Sequence, residues 1–126
     1  MSKDIIFLKN QKLFSIGAIY SHWVDKGSGE EISSYSVLTT KANSLMEKIH
    51  NSKKRMPVII PRVHEKDWLN PNLTEAEVME LCIPIDPSLM DAYTISRAIS
   101  SRSIDNKNIQ EISKQYEYPE LAIIDA

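Results

Sequence analysis

The sequence predicts a β-rich α+β domain, in which a β-meander is accompanied by short helices. Three observations lead to this class. The first forty residues contain segments rich in β-branched and aromatic residues, separated by polar turns. From residue 42 onward, apolar residues recur at helical spacing instead. The length of 126 residues suits one domain, so we expect residues 1–126 to form a single folding unit.

The meander is predicted from three apolar segments and the two turns between them. The segment SYSVLTT alternates Tyr35 and Val37 with serine and leucine, which is typical of a strand with two different faces. The segment DKGSGEE places two glycines between charged ends and therefore predicts a turn. The predicted strands are 5–8, 13–23 and 34–40, and the predicted turns are 9–12 and 25–31.

Helices are predicted where apolar residues recur every three to four positions instead of at every second position. Leu45, Met46 and Ile49 indicate a first helix. Thr74, with Glu77 three residues later, predicts a capping box at the start of another. The remaining predictions are helices 42–50 and 73–82, strands 56–61 and 92–99, a turn or short helix from Asp86 to Met90, and a polar loop from Ser100.

The composition excludes several classes of protein. The formal net charge is −2, so no overall basic field indicates nucleic acid, and DNA binding would need a local patch such as Lys53, Lys54, Arg55 and Arg62. No run approaches the roughly 20 apolar residues that span a bilayer. The single cysteine excludes an internal disulfide. We therefore expect a cytoplasmic protein that does not contact membranes.

The segment IHNSKKRMP joins the first helix to a strand, and it carries a candidate site. His50 ends the helix, Arg55 opens the strand, and Thr39 lies just before the helix. A histidine here can transfer protons, and an arginine can hold a phosphate or carboxylate. The commoner interpretation is a histidine packed at a helix end, and the residues alone leave both open.

Other residues with reactive side chains have ordinary interpretations. Cys82 lies in a predicted helix among apolar residues, so we expect a small buried side chain rather than a nucleophile. His64 has Glu65 and Asp67 beside it, a pattern that suits a metal fragment but is more typical of a solvated surface. His22, in a strand, has no functional interpretation from spacing alone.

Taken together, the segments LFSIGAIYSHW, SVLTTKANSLMEKIHNSKKRMPVIIP, DWLNP and AYTISRAISSR resemble the C-terminal half of the SOS-response-associated peptidase (SRAP) family, the abasic-site processing proteins. The most specific part is TTKAN…IH…RMP, which matches the family in order and spacing apart from a slightly longer loop. The resemblance covers nearly the whole chain. It implies the family's compact, β-rich α+β fold, here as a partial domain.

The resemblance also implies a function. Family members cross-link to abasic sites in single-stranded DNA through a cysteine at the mature N-terminus, which autoproteolysis of the initiator methionine exposes. By position, His50 would transfer protons and Thr39 would line the site. Arg55 would bind a DNA phosphate, together with Lys53 and Lys54. No cofactor or metal is expected.

The sequence departs from the family pattern at several places. Ser2 stands where the family has its cysteine, Ser21 stands where the family has an active-site acid, and Ser100 replaces an asparagine. The N-terminal half of the domain is not matched. We therefore expect a chain that is inactive or depends on a partner, either a second copy or a polypeptide that completes the domain. The alternative is a non-catalytic interaction or structural module without DNA chemistry.

Overall fold

A computed structural model describes residues 3–49, 52–96, 99 and 113–117. It combines short strands with short helices, and the predicted α+β class is confirmed. The strands are β1 (Lys3–Leu8), β2 (Ser15–Ile16), β3 (Ala18–Val24), β4 (Glu31–Val37), β5 (Thr39–Lys41), β6 (Arg55–Pro57), β7 (Ile59–Ile60) and β8 (Met90–Ile95). The α-helices are α1 (Ser44–Ile49), α2 (Glu65–Trp68) and α3 (Glu75–Leu81), and 3-10 turns cover Arg62–His64 and Pro87–Leu89.

The strand order corrects the predicted meander. Of the three strands of the predicted meander, only the second and third pair with each other, in the antiparallel hairpin of β3 and β4. The first strand pairs instead with the last, so that β1 and β8 run antiparallel from Lys3 opposite Ile95 to Leu8 opposite Met90. Pattern within each strand could not reveal this order, because pairing across more than eighty residues depends on the rest of the fold.

Three extended segments of the chain, 15–24, 31–41 and 55–60, each consist of two strands that pair with different partners. β2 pairs with β7 and β3 with β4, while β5 pairs with β6. At the crossing point, the N–H of Gly17 donates to the carbonyl of Val58, Val58 donates to Leu38, and Leu38 donates to Gly17, at 2.7–3.0 Å. Each predicted continuous strand through this point, 13–23, 34–40 and 56–61, is therefore divided into two.

Gly17 suits the close approach at this three-strand junction, where a larger side chain would be crowded. A Cβ atom on Gly17 would lie 3.2 Å from Val58 Cγ1 and 3.3 Å from both Ile60 Cδ1 and Trp68 Cζ2. Val58 is completely buried. The junction thus fixes β5 and β6 relative to the hairpin of β3 and β4.

The main core lies on one side of this junction. Its buried side chains come from β1, the start of α1, β6, β7 and the segment that leads into β8: Leu8, Ala42, Met46, Met56, Ile59, Ile85 and Met90. Helix α1 presents Met46 to this core, as its predicted apolar stripe requires. No residue of the β3–β4 hairpin belongs to this cluster.

The C-terminal elements agree with the sequence in kind and differ at their ends. Helix α3 has the predicted capping box, with Thr74 Oγ1 accepting from Glu77 N and the Glu77 carboxylate accepting from Thr74 N. The last strand covers Met90–Ile95, earlier than the predicted 92–99. Most of the loop predicted from Ser100 lies outside the described residues, but residues 113–117 bridge to β8, where Gln115 is opposite Ile95.

Among the described residues, no helix has both the length and the apolar character that crossing a membrane requires.

Candidate functional site

The side chain of Arg55 is held against Thr39 by three hydrogen bonds. Its Nε donates to Thr39 Oγ1 at 3.0 Å, and its Nη2 donates to both Thr39 Oγ1 at 2.6 Å and the Thr39 carbonyl at 2.9 Å. Both residues are exposed. The guanidinium group is therefore held in one orientation at the surface, and no acidic side chain of the described residues forms an ion pair with it.

The register of β5 and β6 explains this contact. Lys41 lies opposite Arg55, and Thr39 lies opposite Pro57. Residues two apart in a strand point to the same face, so Thr39 is the diagonal neighbour of Arg55 and within reach of its long side chain. Two of the residues that the sequence singled out are thereby in direct contact.

The Nη1 group of Arg55 makes no hydrogen bond within the part of the chain that the structure describes. Its two N–H bonds are thus available to a ligand. A guanidinium group that presents a free edge is suited to a phosphate or carboxylate oxygen.

The lysines before Arg55 lie on two neighbouring depressions. Lys53 and Arg55 line one of about 310 Å³ together with Met46, Ser52 and Pro57. Lys54 lines another with Ser44, Glu47 and Lys48, along the outer side of α1. Lys53 is therefore beside Arg55, whereas the side chain of Lys54 belongs to an adjoining surface.

The backbone of Lys54 adopts a left-handed conformation with a φ of 48°. Its carbonyl accepts from Ala42 N at 2.9 Å, which closes the loop between α1 and β6. This conformation turns the chain so that Arg55 enters β6 opposite Lys41. Only glycine adopts it without a steric cost.

His50, the candidate proton-transfer residue, lies outside the described residues, as does Asn51. The helix that leads to His50 is described as far as Ile49, at its C-terminal end. The position of that helix is set at its other end, by a residue that the sequence analysis did not single out.

That residue is Asn43, which is buried with 8% of its surface exposed. Its Oδ1 accepts from Met46 N at 3.0 Å and so caps α1. Its Nδ2 donates to the Ile85 carbonyl at 2.9 Å and lies 3.2 Å from Met90 Sδ. Asn43 therefore ties the start of α1 to the segment before β8. An asparagine directly before an apolar helical pattern was the available signal.

Ser21 lies in β3, directly opposite Ser34 of β4, and both are exposed. A serine pair has no group that ionises at neutral pH, so this position offers no carboxylate. On the other face of the same hairpin, His22 Nδ1 is 2.9 Å from Ser33 Oγ, and His22 Nε2 is 3.7 Å from a Glu31 carboxylate oxygen. His22 is therefore engaged in surface contacts.

The residues around His64 do not converge on one point. His64 Nδ1 is 3.0 Å from Asp67 Oδ2, but the Glu65 carboxylate accepts from Ser15 Oγ at 2.9 Å. Within the described residues, no group of three or more His, Cys, Asp and Glu side chains is placed to hold a metal ion.

Cys82 is half-buried at the C-terminal cap of α3. Desolvation by burial raises the pKa of its thiol. A raised pKa lowers the thiolate fraction at neutral pH, and the thiolate is the reactive form. This agrees with the interpretation of Cys82 as a structural side chain.

Comparisons with known proteins identify the family. Residues 4–102 match the model of the SOS response associated peptidase (SRAP) family. The chain is 38% identical over 97 residues to the abasic site processing protein YoqW of Bacillus subtilis, and 36% identical to its YoaM. The matches cover 76% of this chain but only 42% and 41% of those proteins. The chain thus spans less than half the length of the curated relatives it matches.

A solved structure shows the same arrangement. The crystal structure of a protein from Bacteroides thetaiotaomicron is 38% identical and superposes with a TM-score of 0.78, covering 90% of this chain and 48% of that one. A second crystal structure, from Bordetella bronchiseptica, is 22% identical with a TM-score of 0.61 and supports the fold. The family match over residues 4–102 and the similarity to the Bacteroides thetaiotaomicron structure lead to one conclusion: the chain belongs to the SRAP family.

Proposed function

We propose that this chain recognises abasic sites in single-stranded DNA and acts in the response to DNA damage. The observation that carries the proposal is the orientation of Arg55, whose guanidinium is held by Thr39 through Nε and Nη2, while Nη1 has no hydrogen bond to any described residue. The relatives named as abasic site processing proteins support the choice of substrate.

The geometry suits a phosphate of the DNA backbone. A fixed guanidinium loses little conformational entropy when it binds, and its hydrogen bonds to a phosphate are charge-assisted. Lys53 lines the same depression and adds a second positive charge. The formal charge of the chain is −2, so this local patch, rather than an overall field, would attract the DNA.

The covalent step of the proposal needs a nucleophile from outside the 126 residues. Their one cysteine is Cys82, and its raised thiol pKa disfavours attack on a sugar aldehyde. Ser21 supplies no acid at the hairpin. We propose that a second polypeptide, which completes the domain, contributes the nucleophile and that His50 then transfers protons during ring opening.

The second candidate is an interaction module without DNA chemistry. The observation that favours it is the exposure of large apolar side chains on the β3–β4 hairpin, among them Tyr20 at 86% and Tyr35 at 78%. Exposed apolar patches of this kind mark protein interaction sites. The two candidates differ in whether the Arg55 surface binds DNA.

Fluorescence anisotropy with a labelled single-stranded oligonucleotide tests the proposal. One oligonucleotide carries a single abasic site, and a second of the same length carries a base there. We expect tighter binding to the first. Arg55→Ala should weaken binding by about tenfold, equivalent to about 1.4 kcal/mol. It should also make the slope of log K against log salt concentration shallower by about 0.7. That is the contribution of one phosphate contact on a single strand.

Lys66→Ala is the control. It removes one positive charge from an exposed position in α2, outside the loop and strand that carry Lys53, Lys54 and Arg55. Equal losses for both variants, or no binding by the unchanged chain, would favour the interaction module.

The covalent step is tested on a denaturing gel with the abasic oligonucleotide. We expect no shifted band from this chain alone. Any shifted band would overturn the assignment of the nucleophile to a second polypeptide, and loss of that band in Cys82→Ser would identify Cys82 as the nucleophile.

A further inference from the structure

The β3–β4 hairpin exposes apolar and aromatic side chains on both of its faces. On one face, Tyr20 lies directly opposite Tyr35, and both are almost fully exposed. On the other face, Trp23 lies opposite Ile32, with 54% and 44% of their surfaces exposed. An antiparallel sheet normally packs one face on a core, and an isolated two-stranded hairpin is marginally stable.

A cleft continues this surface at the base of the hairpin. It has a volume of about 470 Å³ and lies between the start of β3 and the segment that joins α2 to α3. Apolar side chains line most of it, including Ile19, Trp68, Leu69 and Val78. Leu69 is 79% exposed at its rim.

Both long edges of the hairpin are open in the described part of the chain. Ala18–Val24 pairs only with β4, and Glu31–Val37 pairs only with β3. Open edges present unpaired N–H and C=O groups, which accept an added strand.

The charge of the hairpin argues against a nucleic acid as its occupant. Residues 18–37 contain three acids, Asp25, Glu30 and Glu31, and one base, Lys26, which gives a formal charge of −2. A polyanion would be repelled by this surface.

The comparisons indicate what covers this surface. The chain spans 48% of the Bacteroides thetaiotaomicron protein and 42% of YoqW, so more than half of each has no counterpart here. We propose that the β3–β4 hairpin and its cleft are the docking surface for a polypeptide that carries this unmatched part of the SRAP domain. That polypeptide adds a strand to an open edge and buries Tyr20, Trp23 and Tyr35.

This proposal rests on the proposed function only in that a second polypeptide completes the domain. It places that polypeptide on the hairpin, next to Ser21, whereas the depression of Lys53 and Arg55 has no lining residue from the hairpin or its cleft. DNA binding by the chain alone and docking on the hairpin can therefore fail separately.

Co-expression tests the docking. The tagged chain is produced together with the unmatched part of the Bacteroides thetaiotaomicron protein, and in a second experiment with that of YoqW. We expect at least one of them to co-purify, with a mass by light scattering that equals one copy of each. Failure of both to co-purify would overturn the proposal.

Variants locate the contact. Tyr35→Ser and Trp23→Ser should each weaken the complex by at least tenfold. Val63→Ser is the control, because Val63 is 80% exposed but lies outside the hairpin and its cleft. Circular dichroism checks that the variants remain folded. Losses no larger than that of the control would overturn the location.

Two other occupants of the hairpin surface, a second copy of the chain and DNA, would give different experimental results. A homodimer of the chain alone that Tyr35→Ser dissociates would replace the proposed polypeptide by a second copy. Loss of oligonucleotide anisotropy in Tyr35→Ser, with Arg55→Ala unaffected, would replace it by DNA. If the complex forms but the oligonucleotide does not bind, the docking stands and the DNA recognition fails.

Discussion

Around helix α1 the apolar side chains are buried, whereas in the β3–β4 hairpin side chains of the same kinds are exposed to solvent. Met46, Met56 and Met90 have 5% or less of their surfaces exposed. Tyr20 and Tyr35 have more than three quarters exposed. The two regions are joined at Gly17, Leu38 and Val58, so they belong to one fold.

The difference teaches which part of the chain supplies its own stability. Burial of apolar surface is the main favourable term in folding, and it is concentrated in the region around α1. The hairpin has cross-strand hydrogen bonds but little burial, so it depends on this region for its stability. The candidate phosphate site, Arg55 with Thr39, lies in the region around α1, which is stabilised by its own buried side chains.

The largest expected effect is a difference in unfolding free energy between a truncation in the region around α1 and one in the hairpin. Met56→Ala should lower the free energy of unfolding by about 2–5 kcal/mol, because it leaves a cavity at a side chain that is 1% exposed. Tyr20→Ala, also a truncation to alanine, should change it by less than about 0.5 kcal/mol because its side chain is already in water. Urea denaturation monitored by circular dichroism measures both. Similar losses would mean that the hairpin is buried in solution.

A smaller effect is expected at Asn43, where a polar contact holds the packed region together. Asn43→Ala should cost about 2 kcal/mol, since it removes the helix cap and leaves the buried Ile85 carbonyl without its donor. Asn70 is the control, because its side chain also accepts from a backbone N–H but is exposed. The same urea titration applies. If Asn70→Ala is equally destabilising, the burial of Asn43 is not the cause.

Lys54→Gly is expected to stabilise the chain. Glycine relieves the left-handed conformation of residue 54, which should raise the free energy of unfolding by about 1 kcal/mol. The same variant removes one positive charge beside the candidate DNA site. Thermal unfolding and oligonucleotide anisotropy together separate the two consequences. Lys53→Gly, at a neighbouring exposed residue, should not stabilise; a gain there would contradict the explanation.

The smallest expected effect is a pH-dependent contribution of Glu77 to the free energy of unfolding. The hydrogen bond from the Thr74 backbone N–H lowers the pKa of Glu77 below its ordinary 4.5, with a further contribution from the Thr74 hydroxyl. A lowered folded-state pKa stabilises the protein above the unfolded pKa, and this stabilisation is lost as the pH falls through the folded one. Glu77→Gln should therefore be less stable than the unchanged chain at pH 7, and the gap should shrink as the pH falls below 4.5 and close below the lowered folded-state pKa. A gap independent of pH would contradict this.

The sequence predicted the elements better than their arrangement. The capping box at Thr74 was found because its signal lies within four residues. The contact between Arg55 and Thr39 was anticipated only as a cluster, since sixteen residues separate them and the register of β5 and β6 brings them together. Asn43 was missed because half of its function is a bond to Ile85, forty-two positions along the chain.

The sequence by itself determined the α+β class, the positions of most strands and helices, and the membership of the SRAP family, because each depends on local periodicity or on the order of motifs. Tertiary structure alone decided that β1 pairs with β8 and that three strands exchange partners at Gly17. It also decided that the hairpin lies outside the core. The physical reason is that backbone pairing and burial join residues distant in the chain, whereas propensity and capping act between near neighbours.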